Sequence, residues 1–213
     1  FKMNFEKHGG KVIAAEAVSP TDVDMRAVLT RIATAKADVL YYPVFVAAGG
    51  QITRQAKEIP GLTKDIISGG SMMTKDFITA SGDNIVGMRI TFPDVSQEAL
   101  GKEYPKLVAA YKKKFGEAPI QGFHAHAYDG AKLLHLAIEK VAVQDKDGNT
   151  YIGRKALRDA VFNNPQFEGM SGPIKCDEHG QCGKFKFAVY QFTNADPNTF
   201  ETGKNPKKIY PAQ

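Results

Sequence analysis

Three groups of residues carry side chains whose types and spacing suit chemistry. His124 and His126 stand two apart in the run FHAHAYD (123–129), and paired imidazoles at that spacing on a strand can share one metal ion. A catalytic zinc needs a third ligand, yet His8, His135 and His179 fall in other elements and Asp129 sits past the start of an expected helix. A His-dependent metal hydrolase is therefore the least supported reading. Cys176 and Cys182 flank the run DEHGQ (177–181), a spacing that suits a disulfide across a hairpin in an oxidising compartment. A zinc site built from Cys176, His179 and Cys182 lacks a fourth ligand. Ser68–Gly69–Gly70–Ser71 reads as a strand-to-helix turn whose N–H groups and hydroxyls suit an anion, or as an ordinary turn with Ser71 as helix cap. No nucleophile elbow, phosphate-binding loop or dinucleotide fingerprint occurs, and Gly49–Gly50 lacks the further glycine such a loop requires. Nothing calls for a cofactor.

The elements that must position these groups follow from the hydropathy pattern. The 213 residues include 28 Lys+Arg, 23 Asp+Glu, two Cys and no Trp, with 43% apolar residues, the composition of a folded globular chain. The net charge of +5 is diffuse. The basic runs at 112–114 and 204–208 lack interleaved aromatics and read as solvated faces, with no nucleic-acid partner. Residues 12–18, 39–45, 65–69 and 85–92 read as apolar strands, with helices expected after Asp22, from Gly49–Gly50 to Ile59, and near 74–80. Strands alternating with helices predict a parallel sheet, and ligands bind such sheets beyond the carboxyl ends of the strands. Long amphipathic helices are expected over 97–115 and 122–142, the second with Tyr128, Ala131, Leu134, Ile138 and Val141 as its apolar face. A third helix covers 153–162. Residues 169–176 and 186–192 suggest a β-hairpin with 177–183 as its loop, and the tail from Thr193 reads as loosely held. The chain starts at Phe1 inside a helical pattern, with no cap, initiator Met or leader, which predicts a processed or truncated fragment.

Three stretches carry a resemblance: VLYYPVFVAAGGQITRQA (39–56), FHAHAYDGAKLLHLAI (123–138) and GPIKCDEHGQCGKFKFAVYQF (172–192). In this order and spacing the chain resembles the periplasmic branched-chain amino-acid binding proteins that serve ABC importers. That resemblance implies an α/β, two-lobe type I periplasmic-binding-protein fold with parallel sheets flanked by helices. Residues 1–93 and 188–213 would form the second lobe. Residues 94–187 would form part of the first lobe, with the preceding family residues absent. It implies a non-enzymatic solute-binding protein, periplasmic or tethered outside the cell, monomeric when intact. Its partners would be a small-molecule ligand and an ABC importer permease.

The resemblance also places a ligand. Phe45 matches a position where the family sets an aromatic against the solute, with core packing as the other reading. Phe123 and Tyr128 match cleft-lining positions, and His126 could donate to an anionic ligand. Ser71 is expected to contact the ligand, with Ser68 and Met72 behind it. At Gly70 the family tends to place an acidic residue that pairs with an α-ammonium group; here no carboxylate occurs from Ile66 through Lys75. The expected ligand is therefore amino-acid-like, an aromatic acid or an amide. The same fold as the sensing domain of a regulator or receptor is the alternative.

Overall fold

The computed structural model describes residues 1–96, 99–119, 122–183 and 186–211. In chain order its elements are α1 (Lys2–Lys7), α2 (Arg26–Thr34), β1 (Leu40–Tyr42), α3 (Val46–Ala56), β2 (Ile66–Ser68), α4 (Lys75–Ser81), β3 (Arg89–Pro93), α5 (Tyr104–Phe115), α6 (His124–Val141), β4 (Val143–Gln144), β5 (Thr150–Tyr151), α7 (Arg154–Phe162), β6 (Phe167–Gly169), β7 (Gly172–Ile174), β8 (Phe187–Gln191) and β9 (Lys207–Tyr210). They form two compact units, residues 1–92 with 187–213, and residues 93–186.

The first unit is built on a five-stranded sheet in the order β1-β2-β3-β8-β9. Strands β1, β2 and β3 run parallel, with Tyr42 beside Ser68 and Ser68 beside Ile90. Ile66, Ile90, Phe92 and Tyr190 of the sheet are buried, as are Phe192 just beyond it, Leu29 of α2, Ile52 of α3 and Phe77 and Ile78 of α4, and the Phe77 and Phe192 rings meet with centroids 5.9 Å apart. Gly49 and Gly50 do not lead into a helix, as the sequence suggested, but lie inside α3 and are buried. Their reason is close packing. A Cβ on Gly50 would stand 2.6 Å from the Ala80 Cβ of α4, and one on Gly49 would meet the Met72 sulfur. Both helices then approach nearer than side chains would permit. Thr74 caps α4 by accepting from the Phe77 amide.

Two expectations fail in this unit. Residues 12–18 form no strand: they are mostly exposed and have no ladder partner among the described residues. A strand exists only by pairing, and β1 stands at the sheet edge without them. Glu16 instead pairs with Arg31 of α2 at 2.8 Å, and that hydrogen bond holds its carboxyl below the usual range. The tail is not loose either. Strand β9 pairs antiparallel with β8, and the buried Asn205 side chain organises the connection. Its Oδ1 accepts the Thr193 and Asn194 amides, while its Nδ2 donates to the Asn194 carbonyl and the Thr199 hydroxyl.

In the second unit, α5 begins at Tyr104, with Pro105 in its first turn, where proline's missing N–H costs nothing. Of the expected start, Gln97 lies outside the described residues. Helix α6 buries Ala125, Asp129, Leu133 and Ala137, a stripe at spacing four, rather than the face through Tyr128 and Leu134, which are 43% and 48% exposed. The helix has two apolar faces, and the first is the more deeply buried, Ile138 and Val141 of the second being half-buried. Leu133 joins Ile174 and Cys176 in a small core that Val161, Phe167 and Cys182 border.

The expected hairpin is also redistributed. β6 pairs with β7 across Met170–Ser171, and β8 belongs to the first unit's sheet. The cysteine loop closes on its own, Lys175 N–H to the Cys182 carbonyl and Asp177 N–H to the Gln181 carbonyl. The Asp177 carboxylate accepts from His179 and Gln181 inside it. Cys176 and Cys182 form a disulfide. Reduction, or the double change to serine, should lower stability by ~2 kcal/mol in the chain-entropy account of so short a loop. Urea melts with and without reductant test this; coincident curves would show that the bond adds nothing.

Candidate functional site

In the first unit the candidate residues gather at the carboxyl ends of β1 and β2. After Tyr42 the chain turns through Pro43 and Val44, and Phe45 becomes the N-cap residue of α3 with extended backbone (φ −90°, ψ 170°). Its ring faces solvent, and Phe45 is 75% exposed. The neighbouring turn after β2 is fastened to the first. Ser71 Oγ donates to the Val44 carbonyl at 2.7 Å, and Ser68 Oγ to the Tyr42 carbonyl at 2.6 Å. Thr91 of β3 repeats the pattern, donating to the Ser68 carbonyl at 3.2 Å.

Phe45 and Ser71 therefore belong to one continuous surface. Ser68 and Met72 lie beneath it: both are fully buried, with Ser68 spent on Tyr42 and Met72 filling the space under Gly49. Gly70 has a steric reason to be glycine, since a Cβ there would stand 2.5 Å from the Phe92 ring. Deeper in the same unit, burial raises the Tyr42 phenol far above its usual pKa, so it acts as a neutral hydroxyl bonded to Thr53.

In the second unit the candidates lie on the first turns of α6. Phe123 is its N-cap residue and is 42% exposed. At 3.6 residues per turn, His126 and Tyr128 point about 200° apart, so the helix separates them. His124 lies on the Tyr128 side, about 40° from it around the helix, and its Nε2 meets the Tyr104 hydroxyl of α5 at 2.7 Å. Two histidines two apart on a helix diverge, and no cluster of three metal-ligating side chains occurs among the described residues.

His126 borders a cavity of about 220 Å³ that Asp129, Leu133, Ser171, Ile174 and Gln181 help to line. Burial lowers its pKa, opposed by the charge of Asp129 and reinforced by His124. The imidazole is thus neutral at pH 7. Because the unfolded chain binds this proton more readily, stability should fall as pH drops below 6.5. His126→Gln should flatten that part of a melting-temperature profile; an unchanged slope would discount the histidine.

Sequence reasoning missed the role of Asp129. Its carboxylate is 2% exposed and accepts from the Met170 and Ser171 amides and the Ser171 hydroxyl, at 2.6–2.7 Å. It pins α6 to the turn between β6 and β7. A Cβ on Gly169 would stand 2.5 Å from it. The signal was available: Asp129 falls in the spacing-four stripe of small and apolar residues 125, 133 and 137.

The family model described as periplasmic binding protein matches residues 1–197. The chain belongs to that family. Its members are binding proteins rather than enzymes. A Pseudomonas aeruginosa relative named for binding leucine, isoleucine, valine, threonine and alanine is 26% identical over 191 residues, which is 90% of this chain and 48% of that protein. A leucine-binding protein of known structure from Thermotoga maritima superposes with a TM-score of 0.73 at 26% identity, over 91% of this chain and 52% of that one. A solute-binding protein of an R. palustris ABC transporter, solved with benzoate, superposes with a TM-score of 0.65 at 18% identity, over 96% and 51%. The last comparison concerns fold alone. The chain spans about half the length of the curated relatives it matches.

Proposed function

We propose that this chain is part of an extracytoplasmic solute-binding protein that serves an ABC importer, periplasmic or tethered outside the cell and monomeric when intact. The observation that carries the reading is the exposed Phe45 ring at the carboxyl end of a parallel sheet, on a turn locked to its neighbour by Ser71, in a member of a binding-protein family. A large aromatic held outward on rigid backbone is costly to leave in water and pre-organised to cover an apolar solute.

Phe45 and Ser71 would serve the ligand from the first unit, and Phe123 and Tyr128 from the second, while His126 lies across α6 from Tyr128 and borders its own cavity. Ser68 and Met72 would support the turn from below. Solute binding would favour a closed state of the hinged lobes, and a membrane permease would recognise that state; only differential affinity for the two states can drive such closure. Relatives are named for amino acids, and the R. palustris protein was solved with benzoate. The solute is accordingly amino-acid-like, an aromatic acid or an amide. A thermal-shift screen of these classes on the intact protein tests the reading. A solute at about 100 times its Kd adds ~2.7 kcal/mol to the folded state and raises the melting temperature. No shift with any compound would count against transport.

A further inference from the structure

We infer that Ser71 tightens solute binding without touching the solute: it is a positioning residue, acting through the peptide that leads into Phe45. This rests on the solute-binding reading and deepens it.

The direction of the Phe45 ring is set by backbone. The side chain is 75% exposed, so packing restrains little of it, and the peptide planes on either side aim its Cα–Cβ bond. Each peptide is a rigid unit, and holding its carbonyl holds the plane. The plane after Phe45 is fixed by α3 itself, where the Phe45 carbonyl accepts the Gly49 amide at 2.8 Å. The plane before it carries the Val44 carbonyl, and there the Ser71 hydroxyl donates at 2.7 Å from 27 positions away. One step earlier, the Tyr42 carbonyl accepts the Val44 amide at 3.1 Å and the Ser68 hydroxyl at 2.6 Å.

Ser71 is well seated for this task. It lies in the short 3₁₀ turn Gly70–Met72, closed by the Met73 amide on the Gly70 carbonyl at 3.0 Å. Met72 beside it is fully buried, and a Cβ on Gly70 would stand 2.5 Å from the Phe92 ring. The turn after β2 thus rests on the core, and Ser71 ties the more exposed turn after β1 to it. Losing that bond frees the turn at 43–45 to sample other orientations. Affinity then falls in proportion to the fraction of molecules that still present the ring. The net worth of one hydrogen bond corresponds to about three- to tenfold.

A double-mutant cycle on the intact protein gives the test. Leucine, isoleucine, valine, benzoate and benzamide are titrated calorimetrically, and the tightest binder is carried through the cycle. Ser71→Ala should weaken binding about three- to tenfold, whereas Ser71→Thr, which keeps the hydroxyl, should stay within about twofold of wild type. In the Phe45→Ala background, Ser71→Ala should cause no further loss, because no ring is left to aim. Hydrogen exchange at the Val44 amide of the free protein should quicken in Ser71→Ala. Equal losses with and without the Phe45 ring would make Ser71 a direct contact, and unchanged affinity in Ser71→Ala would make its bond a matter of folding alone. Either result overturns the inference and leaves the solute-binding reading standing. Binding of none of these compounds, by a protein that melts cooperatively, overturns the inference and the reading together.

Discussion

Replacing Asp129 with alanine should destabilise the second unit by about 3 kcal/mol or more. The carboxylate is almost wholly enclosed and satisfies two backbone amides and one hydroxyl of the β6–β7 turn. Alanine would leave those donors buried without an acceptor, at roughly 1–3 kcal/mol each, and would open a polar void. Asp129→Asn would keep the volume but turn an N–H₂ donor toward the turn's own donors, so it should rescue only part of the loss. Ser171→Ala removes a single donor and should cost about 1 kcal/mol. Urea denaturation followed by circular dichroism should rank the proteins, from least to most stable, as Asp129→Ala, Asp129→Asn, Ser171→Ala and wild type. Hydrogen exchange at the Met170 and Ser171 amides should quicken first. An alanine variant with a wild-type midpoint would mean that the turn holds itself. The loss would also reach the proposed ligand residues, because the same helix carries Tyr128 in its first turns and Phe123 as its N-cap.

Replacing Phe45 with alanine should weaken solute binding about 10- to 100-fold while leaving the melting temperature of the free protein within a degree or two. The two halves of this expectation have one cause. A ring that is 75% exposed contributes little to folding, since truncation opens no cavity. Covering that ring with an apolar solute removes it from water, and such aromatic anchors dominate binding energies at about 1.5–3 kcal/mol each. Calorimetry on the best solute from the screen, with a parallel thermal melt, separates the halves. Unchanged affinity would remove Phe45 from the site. A large fall in melting temperature would instead make it a packing residue.

Much of the architecture was legible because its causes are local. Apolar runs of strand length at 39–45 and 65–69 became β1 and β2, and the helical spacing after Asp22 became α2. The resemblance carried by residues 39–56, 123–138 and 172–192 led to the family that the match over residues 1–197 establishes. The cysteine pair was readable from its spacing together with an oxidising compartment, since a zinc site there lacks a fourth ligand.

Other features depend on neighbours that lie far away along the chain. Gly49 and Gly50 read as the lead into a helix rather than its interior, because glycine weakens a helix; the nearness of Ala80 and Met72 makes glycine the residue that fits there. Residues 12–18 have strand composition, yet pairing is a property of two segments and composition describes one.

The types of the elements at 26–34, 40–42 and 66–68 and their order were therefore decided by residue identity and near-neighbour spacing. Which face of α6 is the more buried, and why an acidic residue sits inside it, were decided only in three dimensions. The reason is that burial and hydrogen-bond occupancy are set by contacts tens of residues apart: Asp129 meets Ser171 across 42 positions, and Ser71 meets Val44 across 27.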